Sequence, residues 1–446
     1  LKYVIIIPDG GADFALEQLG DRTPFEAAVM PHTQALAMRG RVGTAYTTPP
    51  AFEAGSDVCS MSLLGYSPEK YHTGRAPLEA GALGLTPGPS DWIFRLNLVT
   101  TGQDDTPDAG RMLDHSAGAI TNSEARRLTE ALIEHWVRTI PDDARGIKVT
   151  PGVSYRNIMI DASGRSYANV KTTPPHAIPG EPWAAHVPKG GAEAQFLQRL
   201  MHASIACFAN HPVNTARREQ GLRPASMAWL WGQGTRPTVP PFIERFGLRG
   251  AMITSVDLLA GIASFIGWDR LDVPGLTSYH DTDYAAQGLA TIRALQSYDV
   301  VCCHVEAPDE ASHQADWKTK VASLESIDKL IVGPIVAALE EKYADGWRVL
   351  IMPDHYTLCG TRKHDATPVP FLMAGTAVTS FMKHGFTEEE ANQSDLCIDP
   401  GHELMEYFLH SGLPGGRVSK SSTKPGIKNS QSVGEVTGGK SPDGLF

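Results

Sequence analysis

At 446 residues the chain is longer than one simple core organises, so two domains are expected. Its 42% hydrophobic and 20% charged residues describe an ordinary globular protein, and a formal net charge of −11 excludes nucleic acid as the natural partner, since no basic surplus neutralises phosphates. No apolar run approaches the roughly 20 residues of a bilayer span, Lys2–Ile7 opens directly into a strand rather than a signal peptide, and six cysteines without paired spacing fit a reducing cytoplasm with no membrane partner.

Tyr3–Ile7 reads as a short buried strand ending at Pro8-Asp9-Gly10, which places a carboxylate at a strand end. Thr23 to Arg39 reads as a helix interrupted at Pro31, and residues 41–53 as a loop rich in Thr and Pro. Ser56 follows Gly55 and precedes VCSMSLLGY, whose apolar spacing fits a helix, so it stands at a helix N-terminus. Such a serine is most often a plain N-cap. It is also where a nucleophile attacking phosphate belongs, because free N–H groups and the helix dipole favour an anion. Arg75, in YHTGRAPLEA, is a candidate phosphate fork.

The texture changes near Asp91. A strand over Trp92–Thr100, a polar loop over 101–111, a helix from Ser123 to about Arg138, a Pro-rich loop around Lys171–Pro182 and a helix near Ala192–Asn210 follow. Pro and Gly punctuate both flanks, so residues 91–245 are expected to form an inserted domain. Strands and helices alternate again from Gly250, which predicts a doubly wound, mainly parallel α/β sheet built from residues 1–90 and 246–413. Residues 414–446, rich in Gly, Ser and Lys, are expected to be disordered.

Two stretches carry the chemistry. In Asp299–His313, DVVCCHVEAPDEASH, an apolar strand leads into a helix whose Asp309 and His313 are four apart and leave one face. In Val349–His364, VLIMPDHYTLCGTRKH, Asp354 and His355 end an apolar run, with His364 nine residues on. Each residue alone has a bland reading as a cap, a core histidine or a loop residue. Together they suggest two half-sites, with Asp309, His313 and His364 for one ion and Asp9, Asp354 and His355 for the other. Ser56 between them becomes a nucleophile at neutral pH if metal contact eases its deprotonation.

The motifs GSDVCSMSLLGY, YHTGRAPLEA, HVEAPDEASH, DHYTLCGTRKH and PVPFLMAG closely resemble those of the archaeal-type 2,3-bisphosphoglycerate-independent phosphoglycerate mutases, a branch of the alkaline phosphatase superfamily. The likeness runs from Leu1 to about Leu413. It implies an alkaline phosphatase-like sheet, two divalent ions (manganese, magnesium, zinc or cobalt) and interconversion of 3-phosphoglycerate and 2-phosphoglycerate through a phosphoserine at Ser56, a glycolytic reaction. Asp9, Asp354 and His355, with Ser56, would hold one ion, and Asp309, His313 and His364 the other. The inserted domain would cover the glycerate, with Arg95, His115, Arg156 and Arg217 as contributors beside Arg75. The likeness departs at Gln287, Ala119 and Ala177, where relatives often carry Lys, Arg and Asp, so the metal half is complete and the substrate half thinner. A mutase is therefore the leading reading. A phosphotransferase or phosphatase acting on another small hydroxy compound, as in homoserine-kinase-like relatives, comes second, and a catalytically inactive metal-binding protein third.

Overall fold

The computed structural model describes residues 1–102, 107–380 and 385–413; the expected disordered tail and part of the 101–111 loop lie outside them. In chain order the strands are β1 (Lys2–Pro8), β2 (Arg41–Ala45), β3 (Trp92–Thr101), β4 (Met112–Asp114), β5 (Ile147–Pro151), β6 (Arg156–Asp161), β7 (Met227–Thr235) and β8 (Gly250–Ile253). Then come β9 (Asp269–Arg270), β10 (Val300–Val305), β11 (Trp347–Ile351), β12 (Tyr356–Leu358), β13 (Lys363–Asp365), β14 (Val369–Gly375) and β15 (Cys397–Ile398).

The first sheet has eight strands in the order β15-β2-β14-β11-β1-β10-β8-β9. Its middle is parallel, β11, β1, β10 and β8 all running one way. Helices cover such a sheet on both faces, so its strands read as unbroken apolar runs, and Val4–Ile7 and Val300–Cys303 are wholly buried. The fold is thus α/β with a mainly parallel central sheet. At one side β14 runs antiparallel to β11 and to β2, so β2 runs with the middle strands.

β2 corrects an expectation, because the stretch 41–53, expected as loop, opens with a strand. Its sequence RVGTA has no apolar run, and Gly43 hides the strand signal. That glycine is needed because a Cβ there would meet Leu396 O at 2.4 Å and the Phe371 ring at 2.9 Å. Likewise, the stretch expected as one helix from Thr23 forms two short ones, Pro24–Ala27 and Pro31–Ala37, each started by a proline.

β3 to β7 form a separate antiparallel sheet, with β3 between β6 and β7. Helices Asn122–Thr139 and Gly191–Ala209 bury Leu128, Leu132, Trp136, Leu197, Leu200 and Met201 in its core with Trp229. Near the expected limit at 245, Phe242 belongs to the first sheet's core and packs on Trp268 at 4.9 Å between ring centroids. Helix Arg75–Ala82 joins the layers, its Ala76 and Ala80 packing on Ile93, Ile158 and Ile160. Among the described residues no helix is long and apolar enough to cross a membrane.

Candidate metal centre and facing cleft

The parallel strands β11, β1 and β10 are neighbours, so their carboxyl ends open on one edge, where ligands of such sheets bind. Asp9 follows β1 directly, Asp354 and His355 follow β11, and β10 runs into helix Ala307–His313 with Asp309 and His313. The β12–β13 hairpin, in which Thr357 pairs with His364, folds His364 back over the same edge. Ser56 is the first residue of helix Ser56–Leu63, whose first turn has no side-chain cap.

These residues converge. His313 Nε2 lies 3.1 Å from Asp309 Oδ2, His364 Nε2 3.4 Å from Asp309 Oδ1, and the two imidazole Nε2 atoms 3.0 Å apart. Ser56 Oγ is 3.2 Å from His355 Nε2 and 3.5 Å from Asp9 Oδ2. His355 Nε2 is 3.3 Å from Asp354 Oδ2 and 3.7 Å from Asp9 Oδ1. The donor atoms of Asp309, His313 and His364 gather within 4.8 Å. A second such group contains Asp9, His355 and Asp309, so Asp309 belongs to both groups. Asp354 is turned partly to structure, its Oδ1 accepting from the amides of Gly10 at 3.2 Å and His355 at 3.0 Å.

The electrostatics fit a cation. Burial and the carboxylates of Asp354 and Asp309 push the Asp9 carboxyl well above its usual range. Burial pushes Asp309 upward too, but hydrogen bonds from His313 and His364 outweigh it and hold Asp309 well below. The Asp309 hydrogen bond in turn lifts His313 to about 9. Burial lowers His355. Asp9 Oδ1 and Glu306 Oε2 are buried without a hydrogen-bond partner, and a buried bare carboxylate oxygen is costly unless a cation meets it. Mixed carboxylate and imidazole donors suit divalent ions such as manganese, zinc or cobalt.

Two residues of this edge escaped sequence reasoning. His304 lies in β10 with its Nε2 2.7 Å from Asp9 Oδ2, and Glu306 ends that strand, forming a third donor group with Asp9 and His304. The signal was a polar residue inside an otherwise apolar buried strand. Asp57 was passed over as well. Its carboxylate takes His72 Nε2 at 2.8 Å and Arg75 Nε and Nη2 at 3.2 Å each.

Facing the centre is a cavity of about 670 Å³ lined by Arg75, Arg95 and Arg156 with Glu79, Glu306 and Glu310. Arg95 pairs with Glu79 at 2.8 Å and stacks over Trp231 at 4.1 Å. Arg156 is exposed and lies over Tyr155. His115 lines no part of this cavity; its ring packs edge-on against Tyr155 and His176. Arg217 is a correction. It is 2% exposed and spent on Glu124 and the carbonyls of Arg223, Ala117 and Gly118, so it braces the second layer rather than meeting a ligand. Gln287 is also buried, donating from Nε2 to the His304 carbonyl at 3.1 Å. A cavity of about 760 Å³ beside Trp183, His202 and Arg218 holds none of the clustered donors.

The sequence model of the 2,3-bisphosphoglycerate-independent phosphoglycerate mutase family matches residues 37–214. A protein of that name (numbered 2) from Methanothermobacter thermautotrophicus is 41% identical over 92% of this chain and 97% of its own length. Another from Methanothrix thermoacetophila is 41% identical over 92% of this chain and all of its own. Among solved structures, the PH0037 protein from Pyrococcus horikoshii superposes with a TM-score of 0.74 at 25% identity, covering 92% of this chain and 96% of that one. A cofactor-independent phosphoglycerate mutase from Thermoplasma acidophilum shares the fold at a TM-score of 0.63 and 22% identity, covering 92% and 98%.

Proposed function

This chain belongs to the 2,3-bisphosphoglycerate-independent phosphoglycerate mutase family, and we propose that it interconverts 3-phosphoglycerate and 2-phosphoglycerate through a phosphoserine at Ser56 beside two divalent ions. The observation that carries this reading is the meeting of Ser56 Oγ with buried carboxylates and imidazoles on a sheet edge that opens on three arginines. Asp309, His313 and His364 would hold one ion, and Asp9, Asp354 and His355, with Ser56, the other. Bound there, such ions supply positive charge to phosphoryl oxygens and ease deprotonation of a serine hydroxyl.

The chain's own residues do the rest. Ser56 Oγ gives up its proton and attacks phosphorus, the ester bond to glycerate breaks, and the freed glycerate oxygen takes up a proton in place of the one Ser56 lost. The glycerate turns, its other hydroxyl gives up a proton and attacks the phosphoserine, and the Ser56 Oγ–P bond breaks as Ser56 Oγ regains a proton. The uncapped first turn of helix Ser56–Leu63 offers N–H donors to the phosphate. Arg75, fixed by Asp57 beside the nucleophile, and Arg95 and Arg156 across the cleft present cations to phosphate and carboxylate. The second layer, residues 91 to about 240, acts as a cover that keeps water from the phosphoserine.

The test is to quench the enzyme during turnover of 3-phosphoglycerate and map phosphate on its peptides, with 2-phosphoglycerate and free phosphate measured side by side. The expected result is label on Ser56 and far more 2-phosphoglycerate than free phosphate. Ser56→Ala should fold and bind ions yet turn over about 10³-fold more slowly or worse. Free phosphate as the main product replaces the mutase reading with a phosphatase. Label on another residue removes Ser56 as nucleophile.

A further inference from the structure

We infer that His304, held in turn by Thr254, is a positioning residue that aims Asp9 at the ion on the Ser56 side of the centre; this rests on the two-ion reading above. The buried carboxylates of the centre are anchored differently. Asp354 is fixed by two backbone amides, and Asp309 by the Thr357 hydroxyl at 2.5 Å, which also meets His355 Nδ1 at 3.1 Å. Asp9 has its short contact from a side chain on the neighbouring strand, His304 Nε2 at 2.7 Å from Oδ2. Its Oδ1 stays buried and bare, 3.7 Å from His355 Nε2. Both oxygens reach the centre, Oδ2, tied to His304, at 3.5 Å from Ser56 Oγ and Oδ1 at 3.7 Å from His355, and only Oδ1 lacks a hydrogen bond.

The tie is built into the sheet. β1, β10 and β8 are adjacent, Ile7 standing opposite His304 and Cys303 opposite Ile253. Asp9, His304 and Thr254 therefore form a row across three strand ends, and all three are buried. Thr254 Oγ1 lies 3.0 Å from His304 Nδ1 and accepts the Val256 amide at 3.0 Å. With an ion bound, Asp9 is a carboxylate and only accepts, so Nε2 of a neutral His304 would carry the ring proton and leave Nδ1 as acceptor. The Thr254 hydroxyl has one hydrogen, and it goes to that nitrogen. From Val256 N–H to His304 Nε2–H every donor then points toward Asp9, an alignment in which each bond strengthens the next. Outer hydrogen bonds of this kind orient a ligand and commonly set 10–100-fold of metal affinity. The rival role, His304 as itself a ligand to a third ion with Asp9 and Glu306, needs the Nε2 electron pair that the 2.7 Å hydrogen bond replaces with a proton.

The experiment titrates manganese into the chelator-stripped full chain by calorimetry, with bound ions counted by metal analysis and folding checked by circular dichroism. The variants are His304→Leu, His304→Gln, which keeps a donor near the position of Nε2, and Thr254→Val. The expected outcome is two ions in every protein. His304→Leu weakens one of them about 10–100-fold, His304→Gln recovers most of that loss, Thr254→Val costs several-fold, and the second ion's affinity stays constant. Equal weakening of both ions, or a Gln variant no better than Leu, marks plain packing and overturns the inference. So does unchanged affinity in the variants. Three ions in the wild type falling to two in His304→Leu makes His304 a ligand and overturns it as well. If His304→Leu does not fold, the Gln and Val variants decide. A wild type that binds no ion removes the two-ion reading itself and the inference with it.

Discussion

The two walls of the cleft hold their charge in opposite ways. On the sheet edge, Asp9, Asp354 and His355 are wholly buried and Asp9 keeps an oxygen with no hydrogen-bond partner, so carboxyl groups are crowded where a cation would let them all ionise. On the facing wall the cations are already partly matched, Arg95 by Glu79 and Arg75 by Asp57, while Arg156 stands exposed. Carboxyl groups crowded on a rigid edge call for tightly bound ions. Charge already matched on the other side suits a ligand that must turn and leave. The difference assigns chemistry to the edge and recognition to the wall, and each assignment is open to test.

The largest expected effect lies on the edge. His313→Ala should lose one ion by metal analysis and slow turnover about 10²-fold, because a missing ligand disturbs both geometry and charge. Normal turnover in that variant would break the assignment. Next is the wall. Arg75→Lys keeps the charge but cannot make the two-pronged contact with Asp57, and kcat/KM should fall about tenfold with ion content unchanged.

A smaller effect sits beneath the edge, where buried Lys320 binds Asp13, the Ala12 carbonyl and the Thr357 carbonyl, and Glu388 accepts from Asp13 N and Thr23 Oγ1. Burial lifts Glu388 from 4.5 to about 7. The folded chain therefore keeps a proton that the unfolded chain releases, and stability from this group is complete below pH 4.5 and lost as pH rises through about 7. Melting temperatures of the wild type should fall relative to Glu388→Gln across that window; parallel curves would contradict it. The smallest effect on the cleft is expected from Arg217→Met. It should cost about 2–3 kcal/mol of stability in a denaturant titration, through lost hydrogen bonds to a charged group, while KM stays constant. A raised KM would return Arg217 to the recognition wall.

What the sequence reveals follows the same division. Strand ends are legible, because a buried parallel strand is an apolar run and the residue that ends it is local information. Asp9, Asp309, Asp354 and His355 are read from such runs, and the place of Ser56 from the apolar spacing of the helix it opens. His304 is not, since its side chain joins the site from inside a strand and only the register of β1 against β10 brings it to Asp9. The recognition wall is harder still. Arg95 and Arg217 look alike in sequence, and only tertiary packing sends one to the cleft and the other to Glu124. β2 was missed because Gly43 serves a close approach that no local pattern announces.

The most direct test of the central claim is anomalous diffraction from crystals of the full chain grown with manganese and collected at the manganese edge. The account predicts two peaks about 4 Å apart, one bonded to Asp309, His313 and His364 and the other to Asp9, Asp354, His355 and Ser56 Oγ. A single peak, or peaks that leave Ser56 and Asp9 without an ion, would contradict it.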